Sequence, residues 1–140
     1  MKTQKIGAAT ATYNYKIIPD KELIIEAFKG DISLEFFKQS MLKEFSDPEY
    51  INLKLGVCDL RKSNLILSDK EIKELFRFAL EHDPNLSIKW ATLTKGPYET
   101  AMAMIYELQA VEHYGYKIFS TTDAASRYLE ISLTEEDLKF

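Results

Sequence analysis

The chain has 140 residues, with 18 Lys and Arg against 22 Asp and Glu, so its formal net charge is −4. This length predicts one domain whose core needs neither a metal nor a disulfide bond for stability. No Lys- or Arg-rich block occurs, which argues against nucleic acid or an anionic membrane as the main partner. The only cysteine, Cys58, excludes an internal disulfide bond and a thiolate metal cluster.

The residues before position 13 are predicted to be a tail. We expect a flexible tail over residues 1–12 and a single α/β domain over residues 13–140. The stretch at residues 6–11 is too short and too rich in threonine for a secretory signal. No run of 18 apolar residues is present, so we expect no transmembrane segment and a cytoplasmic location.

Alternation and turn signals predict a hairpin at the start of the domain. Apolar and polar residues alternate over residues 13–17, which is the period of a strand. A turn signal at residues 19–21 separates this strand from a second apolar run at residues 23–28. An amphipathic helix is then predicted over residues 34–45, where apolar side chains recur at helical spacing.

Residues 53–61, Leu-Lys-Leu-Gly-Val-Cys-Asp-Leu-Arg, are predicted to form the central strand. Their short apolar run is typical of a strand buried on both faces in a parallel sheet. Gly56 within the run indicates close approach by another backbone. The interpretation depends on residues 57–60 lying inside a helix-covered, mostly parallel sheet.

The remaining elements alternate between helix and strand. Ser68 and Glu71 form a predicted capping box at the start of the second helix. A strand at residues 88–94, a helix at 97–114, a strand at 116–120 and a last helix follow. This order predicts an α/β fold in which an N-terminal β-hairpin joins a mostly parallel central sheet with βαβ crossovers and covering helices.

Polar side chains follow the predicted central strand. Asp59 and Arg61 stand at its carboxyl end, where ligands and partners of open α/β sheets tend to dock. With Thr94, Lys95 and Thr122 they form a candidate ligand-binding rim. The alternative is that Asp59 forms a turn and pairs with Arg61 at the surface.

Two helices carry apolar side chains away from their predicted core faces. Phe78 lies about 130° from the core stripe of its helix, and Met104 and Val111 lie about 100° from theirs. Methionine-bearing apolar surface adapts to protein partners or lipid-like ligands. The alternative is that neighbouring helices cover these side chains. The predicted core stripe of the helix at 97–114 comprises Tyr98, Ala101, Met102, Ile105 and Leu108.

Two short motifs carry a resemblance to a known superfamily. Residues 57–60 read Val-Cys-Asp-Leu, an apolar strand ending in Asp-Leu, and residues 66–69 read Ile-Leu-Ser-Asp. With the order of elements, they make residues 13–130 resemble the STAS-like superfamily of sulphate-transporter cytoplasmic domains, anti-sigma-factor antagonists and small uncharacterised bacterial proteins. The antagonists carry Asp-Ser-Ser-Gly at the second motif, and a partner kinase phosphorylates a serine there. Asp69 stands at the position of that serine here, and Ser68 precedes it. Both are kept as candidate binding residues, and the resemblance does not imply a phosphorylation switch in this chain.

The resemblance, and the lack of a catalytic motif, favour a non-enzymatic regulatory or protein-interaction module that forms a homodimer through a helical face. The alternative is a carrier or sensor of a small apolar, lipid-like ligand between the helix at 97–114 and the sheet. An enzyme that uses Asp59 and Arg61 is the least favoured class. No cofactor or metal site is predicted, because His82 and His113 lack neighbours at ligand spacing. The sequence does not identify the partner, the ligand or the pathway.

Overall fold

The computed structural model describes residues 2–4 and 11–140, with side chains from Ala11 onwards, and within these ranges six strands form one sheet in chain order. The strands are β1 (Lys2–Gln4), β2 (Thr12–Ile18), β3 (Leu23–Ile32), β4 (Leu55–Leu65), β5 (Lys89–Leu93) and β6 (Tyr116–Phe119). The α-helices of the described ranges are α1 (Leu34–Phe45), α2 (Asp69–His82), α3 (Pro97–Ala110) and α4 (Thr122–Leu129).

The sheet is antiparallel on its N-terminal side and parallel elsewhere. β1 pairs with β2, and β2 with β3, in antiparallel register, whereas β3, β4, β5 and β6 are parallel neighbours. This arrangement confirms the predicted hairpin, the mostly parallel sheet and the helical crossovers. Residues 2–4, which belong to the tail predicted over residues 1–12, pair with residues 13–15 of β2, and the flexibility of this tail stays a prediction. Most of the remaining predicted tail, residues 1 and 5–10, lies outside the described residues.

Helices cover both faces of the sheet. α1, α2 and α3 pack on one face, against side chains that include Ile24 and Phe28 of β3. α4 and the C-terminal segment pack on the other face, against Ile25 of β3 and Val57 of β4. Because β4 lies between β3 and β5, residues 57–60 are inside a helix-covered, mostly parallel region, as the sequence predicts.

Local sequence signals set the points at which helices begin. Ser33, Ser68 and Thr121 are the N-cap residues of α1, α2 and α4, and each side chain accepts a hydrogen bond from a backbone N–H of the first turn. At α2 the Glu71 side chain also accepts from the N–H of Ser68, at 3.0 Å. The predicted capping box is therefore confirmed.

Gly56 makes room for the only tryptophan of the chain. Trp90 lies opposite Gly56 in the register of β4 and β5. A Cβ atom at Gly56 would lie 2.4 Å from Cε3 of the indole ring, which packs in the core between the sheet and α1–α3. The close approach predicted at Gly56 is therefore made by a side chain and not, as the sequence suggested, by a backbone.

Gly56→Ala is expected to lower the free energy of unfolding by about 1–3 kcal/mol, because the added methyl group overpacks against a rigid ring. Urea denaturation followed by tryptophan fluorescence measures this change. Gly115→Ala is the matched control, since its Cβ would meet the flexible side chains of Lys89 at 3.1 Å and Tyr128 at 3.2 Å. Equal losses of stability in the two variants would contradict this account of Gly56.

Candidate functional site

Asp59 and Arg61 form an ion pair within β4 and not at its end. The strand continues to Leu65, beyond the end predicted at Arg61. Nε of Arg61 donates to Oδ1 of Asp59 at 2.9 Å, and Nη2 donates to Oδ2 at 3.0 Å. The register between β3 and β4 shifts at this point, and such a bulge re-aims the side chains next to it.

The same guanidinium group also binds the C-terminal segment. Nη1 and Nη2 of Arg61 donate to the Glu135 carboxylate at 3.1 and 3.0 Å, and the Thr122 hydroxyl donates to it at 2.6 Å. These hydrogen bonds, above all those from Arg61, lower the pKa of Glu135 to about 2. A groove of about 370 Å³ beside the cluster is lined by charged and apolar side chains. Arg61 is thus held by two carboxylates of its own chain, and a ligand-binding role for Asp59 and Arg61 stays a prediction.

Ser68 and Asp69 lie at the exposed N-terminus of α2. The Ser68 hydroxyl accepts from the N–H of Glu71 at 3.2 Å, and Oδ1 of Asp69 accepts from the N–H of Lys70 at 2.9 Å. Both side chains therefore stabilise the first turn of α2. Helix capping within the chain accounts for these contacts. The binding role predicted for the two residues stays a prediction.

Phe78 is partly covered by two neighbouring side chains. Nζ of Lys38 on α1 lies 5.3 Å from the centre of the Phe78 ring, and the His82 ring lies 4.3 Å from it. Lys38 also pairs with Glu74 of α2 at 2.7 Å, so α1 and α2 are linked beside this ring. The structure matches the alternative in which a neighbouring helix covers Phe78.

The face of α3 that meets the core differs from the predicted one. Tyr98 and Leu108, predicted for the core stripe, are 46% and 70% exposed. Glu99 is buried instead, and its Oε2 accepts a hydrogen bond from the N–H of Leu65 at 3.1 Å. With Glu99 on the buried face of α3, the apolar side chains of Tyr98 and Leu108 face solvent. The buried side chains of α3 are Glu99, Met102, Ala103 and Ala110.

This orientation of α3 leaves a line of apolar side chains at the surface. We call it the α3 stripe: Tyr98, Ala101, Met104, Leu108 and Val111. Met104 and Val111 are 54% and 53% exposed, so in this single chain they face solvent. Of the seven large apolar side chains that are exposed within residues 11–140, four belong to the α3 stripe.

A cavity of about 100 Å³ lies on the opposite side of α3, between the sheet and α1–α3. Met102 and Ala103 of α3 line it, and most of the lining is apolar. The sequence hypothesis of a ligand between this helix and the sheet pointed to the same place but named none of the polar side chains there. Eight aromatic rings contribute to the wall: Phe28, Phe37, Phe45, Tyr50, Trp90, Tyr106, Tyr114 and Tyr116.

Two glutamate side chains meet at the wall of this cavity. Glu26 extends from β3 and Glu44 from the last turn of α1, and their carboxyl groups are hydrogen-bonded to each other. Two carboxyl groups form such a bond only when one of them is protonated. Burial, followed by the charge of Glu26, raises the pKa of Glu44 well above its ordinary value. Burial also raises the pKa of Glu26, so the pair holds one proton between its two carboxyl groups.

A hydroxyl group and a thiol complete this polar cluster. The Tyr13 hydroxyl donates to Oε2 of Glu44, and the Cys58 thiol donates to Glu26. Within the described residues, no N–H or O–H group donates to Oε1 of Glu44. Burial raises the pKa of the Cys58 thiol well above its ordinary value, so the thiol is neutral at physiological pH.

Strand register explains why the polar groups share one wall. Glu26 lies opposite Cys58, and Cys58 lies opposite Thr92, so the three form a row across β3, β4 and β5. Residues opposite each other in a sheet point to the same face. The sequence carried a signal for this row: Glu26 is the single carboxylate inside the apolar run at residues 23–28.

A third carboxyl group that lines the cavity belongs to Asp83, the C-cap residue of α2. The Tyr50 hydroxyl donates to its Oδ2 at 3.1 Å, and the N–H of Asn85 donates to its Oδ1 at 2.8 Å. Burial outweighs both hydrogen bonds and raises the pKa of Asp83 to about 6. With this pKa the Asp83 carboxyl group is mostly ionised at pH 7, although it ionises less readily than an exposed aspartate.

Within the residues that the structure covers, no group of three or more His, Cys, Asp or Glu side chains is arranged to hold a metal ion. No helix of the described ranges has the length and apolar character needed to cross a membrane. The cytoplasmic location expected from the sequence stays a prediction.

Asp83→Asn is expected to change how stability depends on pH. A carboxyl group whose pKa is raised by folding stabilises the folded state at low pH, and this contribution is lost as pH rises from 3.8 through about 6. Asp83→Asn removes the loss, so its free energy of unfolding should exceed that of the wild type by about 1–2 kcal/mol at pH 7, after allowance for solvent screening.

The difference between the two proteins should shrink towards pH 4 in urea denaturation series. Asp20→Asn, at an exposed turn, is the matched control. A difference between Asp83→Asn and wild type that stays constant from pH 4 to pH 7 would show that burial does not perturb Asp83.

Comparison with known proteins places the fold. No family model matches the chain, and no curated protein matches it. A solved structure that it resembles is an uncharacterized protein of the DUF3478 family, with a SpoIIAA-like fold, from Shewanella loihica PV-4. The two agree with a TM-score of 0.61 at 14% identity, over 89% of this chain and 99% of the other. The chain therefore has a SpoIIAA-like fold, which is a STAS-like fold.

Proposed function

We propose that the chain is a non-enzymatic, STAS-like regulatory module that binds a small, largely apolar molecule in the cavity between its sheet and α1–α3. The observation that carries this proposal is the cavity itself. Its volume of about 100 Å³ approaches that of engineered apolar cavities that bind benzene, which measure about 150 Å³. A mostly apolar wall with a few convergent polar groups is typical of small-molecule sites.

The state of the polar groups favours binding over catalysis. The Cys58 thiol is kept protonated by burial, and a thiol is a poor nucleophile compared with a thiolate. Asp59 and Arg61, the residues of the enzyme hypothesis, are bonded to each other, and Arg61 is also bonded to Glu135. Neither the Cys58 thiol nor the Asp59–Arg61 ion pair is therefore in a state suited to nucleophilic or acid–base catalysis.

We also propose that two copies of the chain associate through the α3 stripe. The positions 101, 104, 108 and 111 of the stripe follow heptad spacing, which suits packing against a second helix. A two-fold axis brings the same patch of both copies together. In an antiparallel arrangement Lys95, before α3, would lie near Glu112, after α3, and α3 itself carries no Lys or Arg.

Filling the cavity should abolish ligand binding. Ala103→Met is expected to place a longer side chain in the cavity, so the rise in melting temperature caused by millimolar benzene should be lost. Lys73→Met, at an exposed position of α2, is the control and should respond to benzene as the wild type does. Differential scanning fluorimetry measures both. If benzene does not shift the wild type, or shifts Ala103→Met equally, the cavity is not the binding site.

Placing a charge in the α3 stripe should separate the two copies. Leu108→Glu is expected to weaken self-association by about tenfold or more, because a buried carboxylate would lack a partner. Light scattering over a concentration series measures the mass of each variant. Ile51→Glu, at a position that is 63% exposed but far from α3 in the chain, is the control and should remain dimeric. A wild-type protein that is monomeric at millimolar concentration would overturn the homodimer proposal.

A further inference from the structure

The charges around the cavity are all of one sign. Glu26, Glu44 and Asp83 line it, and no Lys, Arg or His is among the described residues of its wall. An anionic ligand would therefore bring a further negative charge into a buried site without a counter-charge, which is strongly unfavourable. A cationic ligand would meet the negative charge that the Glu26–Glu44 pair keeps when it shares one proton.

Helix geometry adds to this negative potential. Glu44 lies in the last turn of α1, and Asp83 is the C-cap residue of α2. Tyr114 lies just beyond α3, and its N–H donates to the carbonyl of Ala110 at the end of that helix. Three helix C-termini therefore border the cavity, and a helix C-terminus carries partial negative charge that favours cations.

The aromatic wall suits the same kind of ligand. Eight aromatic rings line the cavity. A cation within about 6 Å of such a ring is attracted by its quadrupole. An apolar body and one positive charge are thus both accommodated by this wall.

Glu44 has a buried carboxyl oxygen that could accept a hydrogen bond from a ligand. Its side chain is 1% exposed, it lines the cavity, and within residues 11–140 its Oε1 receives no hydrogen bond. A proton shared with Glu26 meets this need in the free protein. An ammonium group, with three N–H donors, meets the same need in a complex.

We propose that the cavity takes a small organic cation: an alkyl or aryl amine of about five to seven non-hydrogen atoms, a size set by cavities that bind benzene. Its ammonium group lies against the Glu26–Glu44 pair, and its apolar body lies among Trp90, Tyr106 and Met102. This inference rests on the proposed function, because it names the ligand class of the same cavity.

The test compares two ligands of one shape. Cyclopentylamine and cyclopentanol are titrated separately into the ¹⁵N-labelled wild-type chain at pH 7.5, and affinities are read from amide chemical shifts. The amine is expected to bind about tenfold tighter than the alcohol, because a charge-assisted hydrogen bond is about twice as strong as a neutral one.

A pair of variants locates the ammonium group. Glu26→Gln should weaken cyclopentylamine about tenfold and leave cyclopentanol unchanged, whereas Glu81→Gln, at an exposed site on α2, should alter neither. If cyclopentanol binds the wild type as tightly as the amine, or if folded Glu26→Gln keeps the preference for the amine, this inference fails and the proposed function stands. If neither compound nor benzene binds the wild type, the proposed function fails as well.

Discussion

Two glutamate side chains, Glu26 of β3 and Glu44 of α1, meet in the core, and they can do so only if one of them carries a proton. An unpaired buried carboxylate costs several kcal/mol, and two adjacent ones cost more. The shared proton, with the Tyr13 hydroxyl and the Cys58 thiol, satisfies the pair and links α1 to the sheet. The cavity beside the pair takes its character from this constraint: it is apolar, and its polar wall is acidic.

The two sides of α3 connect this cavity with the surface. Met102 and Ala103 face the cavity, whereas Met104 and Leu108 face solvent on the same helix. A molecule in the cavity would therefore contact the same helix that carries the proposed contact between copies. In the proposed function this gives a STAS-like module a physical route from ligand to partner, because packed cores shift between discrete arrangements.

Local patterns made the fold predictable. Alternation over residues 13–17, the apolar run at 53–61 and the Ser68–Glu71 capping box each depend on neighbours in the sequence, and all three appear in the structure. A hairpin followed by helix–strand repeats leaves few topologies open, so the mostly parallel sheet followed from the order of elements.

The candidate site was less predictable because it depends on contacts between distant residues. The buried face of α3 includes Glu99, which bonds to the backbone of Leu65, and helical periodicity does not encode such a contact. The Glu26–Glu44 pair likewise joins a strand to a helix, although a carboxylate within an apolar strand was a visible signal. The pairing of Asp59 with Arg61 matches only the alternative that the sequence left open, and the partner that Arg61 finds in Glu135 is far away in the sequence.

The account is tested most directly by the titration of glutamate side chains, followed by the ¹³C chemical shift of each carboxyl carbon from pH 3 to pH 9. The account predicts that the Glu44 carboxyl carbon keeps the shift of a protonated group well after exposed glutamates, with a pKa of about 4.3, have ionised. Glu26 should report the same event, because the two groups share one proton. If both Glu26 and Glu44 titrate together with the exposed glutamates, the protonated pair does not exist and the cavity lacks the character derived from it.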